Sequence, residues 1–185
     1  EAIKTYDKID TLIRDTYKKN FVTWGFTADF IVNKLKKQGK TTFGVNTNKV
    51  QSIQEAYDLI KSKKFKNVKV LTLLTVPGGE YKQLQGVPGN GLDVKITDPI
   101  FSGKDWANVI LNTLSPQFKS DDTLNILVAH GNDHHPEYNK ELVVLDEAVR
   151  KKYKNAMLVS VEGKPGFENG LEEAKNAKQK KVHFI

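Results

Sequence analysis

Ile3, Tyr6, Ile9, Leu12, Ile13 and Tyr17 fall at helical spacing from the first turn of the chain, and predict a helix running to about Lys18. Residues 20–26 (NFVTWGF) are apolar without that period and read as a buried strand. Thr27 is placed to cap a second helix, with Phe30, Ile31 and Leu35 on its apolar face and a stop near Gly39. A third helix is predicted over about 49–64, where Ile53, Ala56, Tyr57 and Ile60 share one face. Residues 68–76 (VKVLTLLTV) form a continuous apolar run, the kind that a parallel sheet buries on both sides. Pro77-Gly78-Gly79 ends it, and Glu80 and Tyr81 open a short helix. After the turn-rich 87–91 segment comes a short strand at 92–96, then a helix facing inward with Trp106, Val109, Ile110 and Leu114.

The polar segment 115–123, which contains Pro116, is the expected boundary between two halves, 1–118 and 119–185. Beyond it the rhythm repeats: a strand at 124–129, a helix at 141–152 with Leu142, Leu145 and Val149 inward, a strand at 156–161, a helix at 167–178 and a strand at 182–185. Strands alternating with helices predict an α/β fold of two halves, each a parallel sheet flanked by helices, with right-handed crossovers. The chain opens on Glu1 inside an apolar helical pattern, and it stops within the apolar run Val182-His183-Phe184-Ile185. The expectation is a piece of a longer protein, truncated at both ends, with the second half incomplete.

Composition narrows the chemistry. The 185 residues contain no cysteine, which excludes disulfides, thiolate metal sites and thiol nucleophiles. No apolar run approaches the ~20 residues needed to span a bilayer. Lys and Arg number 29 against 22 Asp and Glu, a net charge of +7, which favours anionic partners. The lysines are spread along the chain as solvated helix faces and ends, with neither a glycine-rich phosphate loop nor an aromatic–basic platform for nucleic acid.

Ligands of parallel sheets gather at the carboxyl ends of the strands. His130 ends the strand at 124–129 and is followed by Gly131; Glu162 ends the strand at 156–161 and is followed by Gly163. If the two strands are neighbours they lie about 4.8 Å apart, and an imidazole and a carboxylate share one rim. Such a pair ligates divalent metals and moves protons, and the glycines would leave room for a large ligand to approach the backbone. Solvated loop residues are the simpler reading of both. His130, His134 and His135 could also be read as a three-histidine cluster. His183 reads as a core or edge histidine, and Trp24 and Trp106 as core.

Four segments, in order and at the right distances, carry a family resemblance. Ile126-Leu127-Val128-Ala129-His130-Gly131-Asn132-Asp133-His134-His135 resembles the His-Gly-x-x-His-His segment of the anaerobic sirohydrochlorin cobalt chelatases of the CbiK type. Val159-Ser160-Val161-Glu162-Gly163-Lys164-Pro165 is similar to the family's Val-Glu-x-x-Pro. Gly25-Phe26-Thr27 with Ile31, Lys34 and Leu35 resembles its Ala-Phe-Thr-Ser…Ile-x-x-Lys-Leu, and Gly78-Gly79-Glu80-Tyr81 its Gly-x-Glu-Tyr.

The resemblance implies a lyase with two chelatase-like α/β halves and the tetrapyrrole in the cleft between them. It implies ATP-independent insertion of Co²⁺ into sirohydrochlorin on the anaerobic route to cobalamin. The metal is a substrate, with Fe²⁺ or Ni²⁺ as alternatives, and no organic cofactor is implied. Carried over by motif, His130 and Glu162 are catalytic residues and metal ligands, and Thr27, Glu80, Gly131 and His134 contact the substrate. The third ligand, a His, is expected beyond Ile185, so the 185 residues alone are expected to be inactive. One departure stands out: the family often has a His before Gly-x-Glu-Tyr where this chain has Leu74. The implied partner is the anionic tetrapyrrole, with no nucleic acid, no membrane span and room for a homo-oligomer. The implied compartment is the cytoplasm, or the periplasm if a signal peptide precedes Glu1. The alternatives are a sirohydrochlorin ferrochelatase and a non-catalytic tetrapyrrole- or haem-binding relative on the same fold.

Overall fold

A computed structural model describes residues 2–185, and they divide into two compact units. The first comprises the chain up to Thr72 together with Gly79–Thr97; the second comprises Leu73–Gly78 and Asp98–Ile185. Both carry a parallel sheet with helices, so the architecture is mixed α/β. The segment 115–123 lies within the second unit. Among the described residues, no helix is long and apolar enough to cross a membrane.

The first unit begins with α1 (Ala2–Thr16) and α2 (Asp29–Lys37). A two-residue antiparallel ladder joins β1 (Thr42–Phe43) to β2 (Asn48–Lys49). Then come α3 (Ile53–Ser62), β3 (Asn67–Val70), α4 (Gly79–Gly86) and β4 (Asp93–Ile96), with β3 and β4 paired in parallel. The α3 start is fixed by a capping box: Ser52 accepts from the Glu55 N–H, and the Glu55 carboxylate accepts from the Ser52 N–H. Ala56 and Tyr57 on the predicted face are buried. The pattern on α1 misled. Ile3, Leu12 and Tyr17 are exposed, and the buried side chain is Asp10. Its carboxylate accepts from Arg14, Trp24, Asn46 and Asn48, tying α1 to the β1–β2 turn. Burial pushes the Asp10 carboxyl up, but these hydrogen bonds outweigh it and leave the pKa at about 2.

Three expectations change in this unit. Residues 20–26 are not a strand. In place of a ladder, the Gln51 amide donates to the Trp24 carbonyl and the Thr23 hydroxyl, Arg14 donates to the Val22 carbonyl, and a single bridge joins Phe26 and Ser52. The 68–76 run is a strand only as far as Val70; its side chains alternate between half-buried and exposed instead of being covered on both sides. Beyond β4 the Leu74 and Thr75 carbonyls accept from the Ile100 and Phe101 N–H groups without forming a ladder. Ala28, not Thr27, is the N-cap of α2, and Val32 is the buried residue while Phe30 is 71% exposed.

The second unit builds α5 (Trp106–Leu114), β5 (Thr123–Gly131), α6 (Lys140–Lys152), β6 (Ala156–Glu162), α7 (Phe167–Asn176) and β7 (Lys181–Phe184), with strand order β6-β5-β7, all parallel. Residues 123–127 and 156–160 are buried without alternation, as expected for a sheet covered on both faces. On one face Leu127, Ala156 and Leu158 pack with Leu111 of α5 and with Leu142, Leu145 and Val149 of α6. On the other, Leu124, Ile126, Met157 and Val159 pack with Phe167 and Ala174 of α7. The predicted α6 face is buried throughout, whereas on α5 Val109 is exposed and Leu111 takes the core position. At the amino edge of the sheet the buried amides of Asn125 and Asn155 hold the 119–123 backbone.

Candidate functional site

The β5–β6 ladder settles whether the two rim residues are neighbours. Gly131 pairs with Glu162, so His130 lies one position from the residue opposite Glu162. Strand alternation gives His130 the face of Leu124 and Ile126, and gives Glu162 the face of Ala156 and Leu158. The two side chains therefore leave the carboxyl rim of the sheet on opposite faces.

His130 is exposed, and its Nδ1 lies 3.0 Å from the Gly131 carbonyl oxygen. A carbonyl only accepts, so this contact places a proton on Nδ1, and in the neutral ring the Nε2 lone pair is free. Nε2 is then the atom available to bind a metal or take a proton.

Glu162 is half-buried, and its Oε2 accepts from the Asp133 N–H at 3.4 Å. The carboxylate is thereby turned toward the loop that follows β5. Asn132 Oδ1 in turn accepts from the His135 N–H at 2.7 Å, opening the 3-10 turn Pro136–Asn139. The buried Asn139 amide donates to the Asn132 carbonyl at 2.9 Å and to the Glu162 carbonyl at 3.5 Å. Asn139 is a part of this rim that the sequence does not announce. It sits in a polar stretch after Pro136, and nothing in the spacing marks it.

The glycines let the rim pack closely on itself. Gly131 has φ +75°, and a Cβ there would collide with the Glu162 carbonyl oxygen. Gly163 has φ +72°, and a Cβ there would overlap Asn139 Nδ2. Both positions are therefore spent on close packing of the rim itself.

His134 and His135 are exposed. His135 contacts Glu137 at 3.3 Å and the Tyr138 ring at 5.2 Å between centroids. Among the described residues no three His, Cys, Asp or Glu side chains form a group able to hold a metal, so the three-histidine reading of His130, His134 and His135 is set aside. In the first unit, Thr27 is half-buried between the Phe26 bridge and α2, and Glu80 is exposed in the first turn of α4. There its charge complements the helix dipole.

An imidazole nitrogen and a carboxylate oxygen, the groups that His130 and Glu162 carry at this rim, are donor types that borderline divalent cations accept. The family model described as Cobalt chelatase (CbiK) matches residues 1–185, and the chain belongs to that family.

Proposed function

We propose that this chain belongs to an enzyme that inserts Co²⁺ into sirohydrochlorin without ATP, to which it contributes His130 and Glu162 as metal ligands and proton-handling groups. The observation that carries the reading is the rim pairing of Gly131 with Glu162, beside a His130 whose Nε2 is free, in a member of the cobalt chelatase family. Insertion replaces two pyrrole N–H protons with one divalent cation, so the site must strip water from the metal and accept protons. Glu162 supplies negative charge to hold Co²⁺ as its hydration shell is lost. As the cation passes to the macrocycle, Nε2 of His130 and the Glu162 carboxylate are released from it, and each takes up one of the two pyrrole protons and passes it to solvent. Thr27, Glu80, Gly131 and His134 are the proposed contacts to the macrocycle, and the +7 net charge draws a polycarboxylate substrate from a distance. The cytoplasm is the proposed compartment.

The test is an absorbance assay of Co²⁺ and Fe²⁺ insertion into sirohydrochlorin by the full-length protein, run beside His130→Ala and Glu162→Gln. The reading requires both variants to lose most of the Co²⁺ rate. A His130→Ala protein that keeps the full rate above the spontaneous background refutes the site. A parent protein that binds the tetrapyrrole without accelerating insertion is a binding relative instead. Faster insertion of Fe²⁺ than Co²⁺ makes it a ferrochelatase.

A further inference from the structure

Asn139 is 3% exposed, and it joins the 3-10 turn to α6. A buried amide left without partners is costly, so where its donors go is informative. Here Nδ2 goes to two carbonyls, those of Asn132 and Glu162. One side chain thus clamps the loop after β5 onto the last residue of β6. The Glu162 carboxylate and the Asp133 N–H that holds it lie on opposite sides of that clamp. Gly163 makes the space for it, since any Cβ there would displace the amide. The matching clamp at the amino edge, Asn125 with Asn155, lies at the opposite end of the same strands and holds no candidate ligand.

We infer that Asn139 is a positioning residue for metal capture: its carboxamide fixes the 132–135 loop against the end of β6 and so holds the Glu162 carboxylate in one orientation. The inference rests on the proposed role of Glu162 as a metal ligand. Partners that orient a ligating carboxylate are worth about 10- to 100-fold in metal affinity. Asn139 acts through the backbone on either side of that carboxylate, without touching the metal.

The experiment is a Co²⁺ titration of the full-length protein followed by the visible d–d absorption of the bound ion. It compares the parent with Asn139→Asp, Asn139→Ser, Glu162→Gln and the double variants. Asn139→Asp keeps the size and removes both donors; Asn139→Ser keeps one donor and carries the same test if the first variant fails to fold. Asn139→Asp is expected to weaken Co²⁺ binding about 10- to 100-fold and to change the d–d band. Added to Glu162→Gln it should give no further loss, because the two act as one unit. The Asp133 amide resonance of the metal-free protein should move in both single variants. Losses that multiply in the double variant, or an Asn139→Asp protein with unchanged Co²⁺ affinity and spectrum, overturn the positioning role and leave Glu162 as a ligand. A Glu162→Gln protein with unchanged Co²⁺ affinity and spectrum overturns the ligand reading, and the positioning role with it.

Discussion

Gly131 stands directly opposite Glu162 in the β5–β6 ladder, with a positive φ and with its missing side chain facing the Glu162 carbonyl. The pairing brings backbone so close to backbone at the rim that only hydrogen fits between them. It also fixes where His130 ends its strand.

Gly131→Ala tests that relationship. The substitution adds left-handed strain, of order 1–3 kcal/mol, to a steric overlap with backbone that cannot swing away. Chemical denaturation should show a loss at or above that range. Co²⁺ binding should weaken as well, since Glu162 must shift. An alanine variant as stable as the parent would mean that the backbone at Gly131 does not lie this close to the Glu162 carbonyl.

Removing the His130 ring should separate function from folding. The side chain is exposed at a strand end, so His130→Ala opens little core. Thermal unfolding should be nearly unchanged while the insertion rate collapses. A large drop in melting temperature would assign His130 a structural role instead.

Asp10 predicts a pH dependence whose sign follows from its hydrogen bonds. Its folded pKa, about 2, lies below the ordinary carboxylate value, so its contribution is complete above about pH 4 and fades as pH falls toward 2. The shift corresponds to roughly 2 kcal/mol. Asp10→Asn should therefore destabilise the protein at pH 7, with a gap to the parent that narrows on acidification through that window. Urea titrations of both proteins at pH 7 and pH 2.5 measure it; a gap that widens on acidification contradicts the account.

Lys69 and Lys95 are exposed and directly paired across β3 and β4. Like charges in that position repel. Lys69→Glu converts the pair to an attractive one and should raise stability by about 0.2–1 kcal/mol at low salt. The gain should shrink as salt is added, because both ends are screened. A gain independent of ionic strength would point to propensity rather than charge.

The sequence by itself determined the parts that obey local rules. Leu142, Leu145 and Val149 are buried together because a helix with one apolar stripe has one way to bury it. β5 and β6 were legible as apolar strands, whereas the third helix, expected from about residue 49, is started at Ile53 by the Ser52–Glu55 capping box. The motif segments pointed to the family before any contact was known. Only the tertiary structure decided the rest. Whether residues 20–26 pair as a strand depended on a partner, and the Gln51 side chain took that place. Asp10 became the buried residue of α1 because donors from Trp24, Asn46 and Asn48 reach it there, a convergence that no period in α1 encodes. Asn139 gained its place from a gap at Gly163, which lies in a different loop. Apolar burial is legible from spacing because it is non-directional. A buried polar group is not, because its stability depends on where particular donors and acceptors arrive once the chain has folded.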